Sequence, residues 1–187
     1  MLTSLPNLLT LSRIAVIPLV VGSFYLDGDW PRWSACWVFV AAAITDWFDG
    51  YLARSWNQVS SMGRFLDPIA DKLLVGSTLF MLSTFDRIDQ ATVLPALIIL
   101  LREILVSGLR EFLAELRVGL PVTRLAKWKT GFQMVALPVL LVGDVGPEIL
   151  HPKLLGEACL WIAAGLTMVT GWDYLLAGMK AAHEEQP

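Results

Sequence analysis

The feature that most limits this chain is a succession of apolar stretches, several of them about 20 residues long, the length that crosses a bilayer core of roughly 30 Å. Six are readable, over residues 6–26, 33–54, 62–84, 91–113, 127–144 and 154–180. Breakers separate them: Asp27-Gly28-Asp29 with Pro31, the polar stretch 55–61, residues 86–90, Gly119–Pro121, and the stretch 143–152. With 56% of its 187 residues hydrophobic and a mean hydropathy of +0.61, the chain exceeds what a soluble domain of this size usually reaches. A soluble helical protein would show one-sided apolar stripes, and these runs are too many and too long for that. The expected fold class is all-α: a polytopic membrane protein with six transmembrane helices, forming one domain over residues 1–187. Cys36 and Cys159 sit inside apolar runs and read as small buried hydrophobes, not as a disulfide or a metal pair. Residues 1–6 carry no basic n-region and the first apolar run continues too far for a cleavable signal peptide.

The net charge of −3 argues against nucleic acid as a partner; the placement of the charges says more. Arg54 and Arg64 lie between the second and third spans. Arg110, Arg117, Arg124, Lys127 and Lys129 lie around the link between the fourth and fifth. The other side offers only Arg32, Arg87 and Lys153. The positive-inside bias puts the two basic links in the cytoplasm, and six spans then put both termini there as well. Trp30, Trp33, Trp56 and Trp128 fall near span ends, where an interfacial aromatic belt places them. The segment 116–129 is basic and partly amphipathic, and reads equally as a short interfacial helix or a solvated loop.

The chemistry concentrates in TDWFDGYLARSWNQVSSMGRFLDPIAD, residues 45–71. Asp46 and Asp49, spaced i, i+3, share one face of the second span; Asp67 and Asp71, spaced i, i+4, share one face of the third. An antiparallel hairpin folded near residue 58 brings both pairs level. Taken alone, Asp67-Pro68 reads as a helix cap followed by a first-turn proline, and Asp49-Gly50 as a turn. Two level pairs in apolar surroundings read instead as a cation site, because four carboxylates at membrane depth must be neutralised. Oxygen-only donors with no nearby His or Cys suit two hard divalent ions, Mg²⁺ or Mn²⁺, and disfavour zinc. Gly50 and Ala53 leave room for a ligand against the second helix, Gly63 does so at the mouth of the third, and Arg54 is placed either to meet a phosphate or to anchor the helix at the interface.

The spacing D-x2-D-G-x2-A-R-x8-G-x3-D-x3-D is similar to the signature of the CDP-alcohol phosphotransferase family. Eight fixed positions would match by chance on the order of once in 10¹⁰ start sites at average residue usage. The resemblance implies that Asp46, Asp49 and Asp67 are metal ligands. It makes Asp71 the base that takes the acceptor's hydroxyl proton, unless it is too tightly metal-bound and serves only as a ligand. Gly50, Ala53, Arg54 and Gly63 would hold the cytidine diphosphate part. It also implies an inner-membrane location with a cytoplasmic active site, CDP-diacylglycerol as donor, and a homodimer.

Within that family, Leu5–Ile14, Arg102–Glu115 and Ala126–Leu137 resemble the branch whose acceptor is glycerol 3-phosphate. An anionic acceptor agrees with the cations. Arg102 and Arg110 lie about 80° apart around the fourth helix, Ser107 sits one turn before Arg110, and Lys127 and Lys129 begin the fifth helix. These five are the candidate phosphate pocket, although Lys127 and Lys129 also suit interface anchors. Arg102 lies deep enough to need Glu103 or an aspartate as partner. Arg13 is expected to face the same polar cavity, with Asn7 and Thr10 as weaker lining candidates. Two other readings remain at this stage: a family member such as a cardiolipin synthase acting on phosphatidylglycerol, and a cation transporter, for which repeat symmetry and broken helices are lacking.

Overall fold

In the computed structural model the described backbone covers residues 5–55, 61–115 and 124–184, with side chains described over 10–46, 66–114 and 124–179. Within it run six long helices: α1 Leu5–Ser23, α2 Asp29–Ser55, α3 Ser61–Thr84, α4 Gln90–Glu115, α5 Arg124–Val142 and α6 Pro152–Glu184. Two short 3-10 turns, Gly143–Val145 and Glu148–Leu150, join α5 to α6. Among the described residues α4 and α6 contain stretches long and apolar enough to cross a membrane by length and composition alone.

The helix boundaries differ from the sequence reading where turn chemistry decides them. α1 stops at Ser23, because Phe24, Tyr25 and Leu26 bond back three residues and Gly28 takes a positive φ of 101°. Pro31 does not break the chain: it lies in the first turn of α2, where no N–H is required of it. Residues 124–129 of the basic segment are the first turns of α5, so that half is not a separate interfacial helix; residues 116–123 lie outside the described part.

The core is built from Phe39 of α2, Leu79 and Leu82 of α3, Ile99 of α4, Leu137, Leu140 and Leu141 of α5, and Leu160 and Ala163 of α6. α5 and α6 form the closest pair. At Gly156 an added Cβ would lie 2.6 Å from Leu140 Cγ and 3.4 Å from the Ala136 carbonyl, so only glycine lets the two helices approach this far. α1 packs against both α2 and α3, while α2 and α3 scarcely touch among the described residues. α5 also packs on each; the turn where register would close a hairpin of α2 and α3 lies outside the described residues. At the end away from the aspartates, Arg87 stacks 4.1 Å over the Phe24 ring, and Asp89 pairs with Lys153 at 2.7 Å. Burial, helped by nearby Arg32, lowers Arg87 to about 10, so it remains a cation at neutral pH.

Candidate active site

Asp67 and Pro68 lie seven and eight residues into α3, which removes the capping explanation for the pair. Pro68 inside a helix cannot donate to the carbonyl four residues back, a local cost tolerated where neighbouring polar groups or a cavity re-satisfy the backbone. The α2 backbone is likewise helical through Asp49 and Gly50, so that dipeptide is no turn. The side chains of Asp49, Gly50, Ala53, Arg54 and Gly63 lie outside the described residues, as does that of Asn7.

Arg13, 2% exposed on α1, reaches both acidic helices. Its guanidinium donates to Asp46 of α2, and to Asp67 of α3 at 3.2 Å. Thr10, one turn earlier and also buried, donates its hydroxyl to the same Asp67 oxygen. One cation thus ties together two carboxylates that are each nearly half exposed. The sequence reading had Arg13 facing this cavity; its bridging role depends on α1 lying against both α2 and α3, which no local spacing reveals.

Asp71, one turn beyond Asp67, lies within electrostatic reach of Asp46, Arg13, Lys129 and Glu103. Two cavities meet at it. A cleft of about 420 Å³ has walls of Phe39, Ala42, Ala43, Leu74 and Pro138 and carries Arg13, Asp46 and Asp71 as its charged groups. A smaller cavity of about 60 Å³ lies between α3, α4 and α5, and is lined by Asp71, Lys72, Glu103, Lys129, Gln133 and Leu100.

Of the five candidate phosphate ligands, Arg102 and Lys129 share Glu103, and Arg102 and Arg110 share the Tyr174 ring. Lys129 is buried and donates to Glu103 beside Asp71. Ser107 accepts from Lys72, a residue the sequence reading passed over although it adjoins Asp71. Arg102 pairs with the same Glu103 at 3.6 Å and also reaches α6, where it donates to Thr170 at 2.9 Å and lies 5.5 Å from the Tyr174 ring centre. Arg110 is exposed and lies 5.8 Å from the same ring, and Lys127 is exposed. An i, i+4 polar pair on one face of α5, Lys129 and Gln133, was the available signal for the inner cavity.

The donor set accords with hard divalent cations. Asp46, Asp67 and Asp71 offer carboxylate oxygens only, and the Arg13 guanidinium stands as a cation between two of them, so the geometry already accepts positive charge there. Among the described residues no three acids, histidines or cysteines converge into a ready ligand shell; the Asp49 side chain lies outside that set.

With this geometry in hand, comparison with known proteins is informative. Residues 3–169 match the model of the CDP-alcohol phosphatidyltransferase family. The chain is 50% identical over 177 residues to a CDP-diacylglycerol–glycerol-3-phosphate 3-phosphatidyltransferase of Rickettsia felis, covering 95% of this chain and 96% of the relative. It is 44% identical to the protein of the same name in Pseudomonas fluorescens, over 93% of this chain and 89% of that one. A similarly named protein of Arabidopsis thaliana is 41% identical, over 88% and 75%.

Proposed function

Because this chain belongs to the CDP-alcohol phosphatidyltransferase family, we propose that it transfers a phosphatidyl group from CDP-diacylglycerol to sn-glycerol 3-phosphate, releasing CMP and phosphatidylglycerophosphate. The names of the relatives supply the acceptor. The observation that carries the reading is the 420 Å³ cleft whose apolar walls meet charged groups at Arg13, Asp46 and Asp71. It has the polarity of a phospholipid donor, with acyl chains along the walls and a charged head at the aspartates.

In this reading Asp46, Asp49, Asp67 and Asp71 hold two divalent cations, Mg²⁺ or Mn²⁺, which when bound draw charge off the donor's pyrophosphate and stabilise the departing CMP. Divalent-cation dependence is general in the family. Gly50, Ala53, Arg54 and Gly63 hold the cytidine diphosphate part. Arg13 fixes the spacing of Asp46 and Asp67. Asp71, lining both cavities, takes the proton of the acceptor's primary hydroxyl as its oxygen attacks the lipid-side phosphorus. The P–O bond to CMP breaks, and CMP carries the electron pair away. Lys129, with Ser107 and Lys72 beside it, supplies cation near the acceptor phosphate.

Residues 1–187 form one catalytic membrane domain in this proposal, with six spans, both termini and the active site on the cytoplasmic side of the inner membrane, and a homodimer as the working state. The shortest helices support the span count: 19 residues rise about 28 Å, close to the hydrocarbon thickness. The test is purified protein with CDP-diacylglycerol and a panel of acceptors. CMP should be released with glycerol 3-phosphate and far less with glycerol, serine, inositol or phosphatidylglycerol. A preference for phosphatidylglycerol would move the chain to cardiolipin synthesis, and no CMP release with any acceptor would refute the transferase reading.

A further inference from the structure

Gln133 is 4% exposed, yet its Oε1 has no hydrogen-bond partner among the described residues. A buried carboxamide oxygen left this way is costly, and such groups in folded proteins nearly always meet a partner. It stands one turn beyond Lys129 on α5, and both line the 60 Å³ cavity that Asp71 closes on the α3 side. That volume is roughly the share of two liquid waters, enough for a carbinol fragment and too small for a lipid chain. The opposite cleft at Asp71 is apolar-walled and suits the donor. Asp71 therefore separates a place for a lipid from a place for a small polar molecule.

We propose that this inner cavity seats the secondary carbinol of the acceptor and that Gln133 hydrogen-bonds its hydroxyl. The inference rests on the proposed acceptor and goes beyond it, by naming what distinguishes glycerol 3-phosphate from other phosphorylated alcohols. The attacking primary hydroxyl must reach Asp71. The secondary hydroxyl sits on the adjacent carbon, so a group on the same small cavity can hold one while the other meets the carboxylate. A hydroxyl donates to the carboxamide oxygen, the atom that lacks a partner among the described residues. The phosphate faces the cationic side, Lys129 and Lys72, which Glu103 and Ser107 hold in place. An acceptor without the secondary hydroxyl leaves Gln133 Oε1 buried and unpaired, the condition under which hydrogen-bonding sites reject analogues most strongly.

The test compares sn-glycerol 3-phosphate with 3-hydroxypropyl phosphate, which lacks only the secondary hydroxyl, in wild type, Gln133→Leu and Gln133→Asn. Wild type should favour glycerol 3-phosphate by roughly ten- to a hundredfold in kcat/KM. In Gln133→Leu the preference should fall to within about threefold, through loss of glycerol 3-phosphate turnover and not gain of the analogue, with KM for CDP-diacylglycerol unchanged. Gln133→Asn, pulled back by one methylene, keeps the amide and guards against a leucine variant that does not fold; its preference should also fall. A wild type that does not discriminate, or a folded variant that keeps the wild-type ratio, overturns the proposal. If wild type ignores both phosphates while turning over another acceptor, the acceptor assignment itself has failed, and the inference fails with it.

Discussion

Removing Arg13 should expose how much of the site's architecture is electrostatic. Arg13→Met keeps the length and apolar stem of the side chain but withdraws a buried cation from between Asp46 and Asp67. Each charge-assisted hydrogen bond is worth about 1.5–3 kcal/mol, and breaking a buried pair from one side costs about 3–5 kcal/mol. Both carboxylates are nearly half exposed, at 45% and 48%, so water recovers part of that loss. The expected destabilisation is about 2–4 kcal/mol once this screening is applied. The assay is unfolding of detergent-solubilised protein in chelator, followed by the fluorescence of its eight tryptophans. Added Mg²⁺ should narrow the gap, because a divalent cation can neutralise the carboxylates that Arg13 no longer holds. Arg13→Lys should fall between, since an ammonium keeps the charge but cannot span two carboxylates with a planar fork. An Arg13→Met protein within about 0.5 kcal/mol of wild type in chelator, the range of inert surface changes, would refute the reasoning.

Further expectations follow from the same geometry. Chelation should abolish CMP release and Mg²⁺ or Mn²⁺ should restore it, as measured by nucleotide release in detergent; full turnover in excess chelator would exclude the two-cation site. Asp67→Asn and Asp49→Asn should each lose most activity while inserting and folding normally, and failed insertion would make the aspartates structural. Asp71→Asn should bind metal and nucleotide better than Asp67→Asn yet turn over about 10²–10⁴-fold more slowly than wild type, the span of general-base effects; equal loss of metal binding in both would make Asp71 a plain ligand. Gly156→Val should cost at least about 1–3 kcal/mol in stability through overpacking against Leu140 and the Ala136 carbonyl, and unchanged unfolding would mean that α5 and α6 separate more easily than their contact implies.

The six helices were legible because apolar length and turn chemistry are local properties. The boundaries moved where those properties compete, as at Pro31, which a helix tolerates in its first turn. The acidic pairs were legible from i, i+3 and i, i+4 spacing, and Asp46 and Asp67 do meet one another, through Arg13. What spacing does not encode is which helix lies against which. Among the described residues both α2 and α3 pack against α1. Nor does spacing show that Arg102 of α4, besides pairing with Glu103, meets Thr170 and Tyr174 of α6, a helix that offered no motif. Lys72 and Gln133 were missed because their sequence neighbours Asp71 and Lys129 give no hint of a shared site until α3, α4 and α5 enclose a common cavity.

The central claim is that the aspartate-bearing helices move a phosphatidyl group onto glycerol 3-phosphate, and phosphorus NMR of the complete reaction tests it most directly. Purified protein with CDP-diacylglycerol, glycerol 3-phosphate and Mg²⁺ should consume the paired pyrophosphate signals. In their place should appear one CMP phosphomonoester and, in equal amount, a lipid bearing both a phosphodiester and a phosphomonoester, with none of these products from Asp67→Asn. CMP accompanied by phosphatidic acid instead of that lipid would mean that water, not glycerol 3-phosphate, is the acceptor. Undiminished products from Asp67→Asn would mean that the aspartates do not carry the reaction.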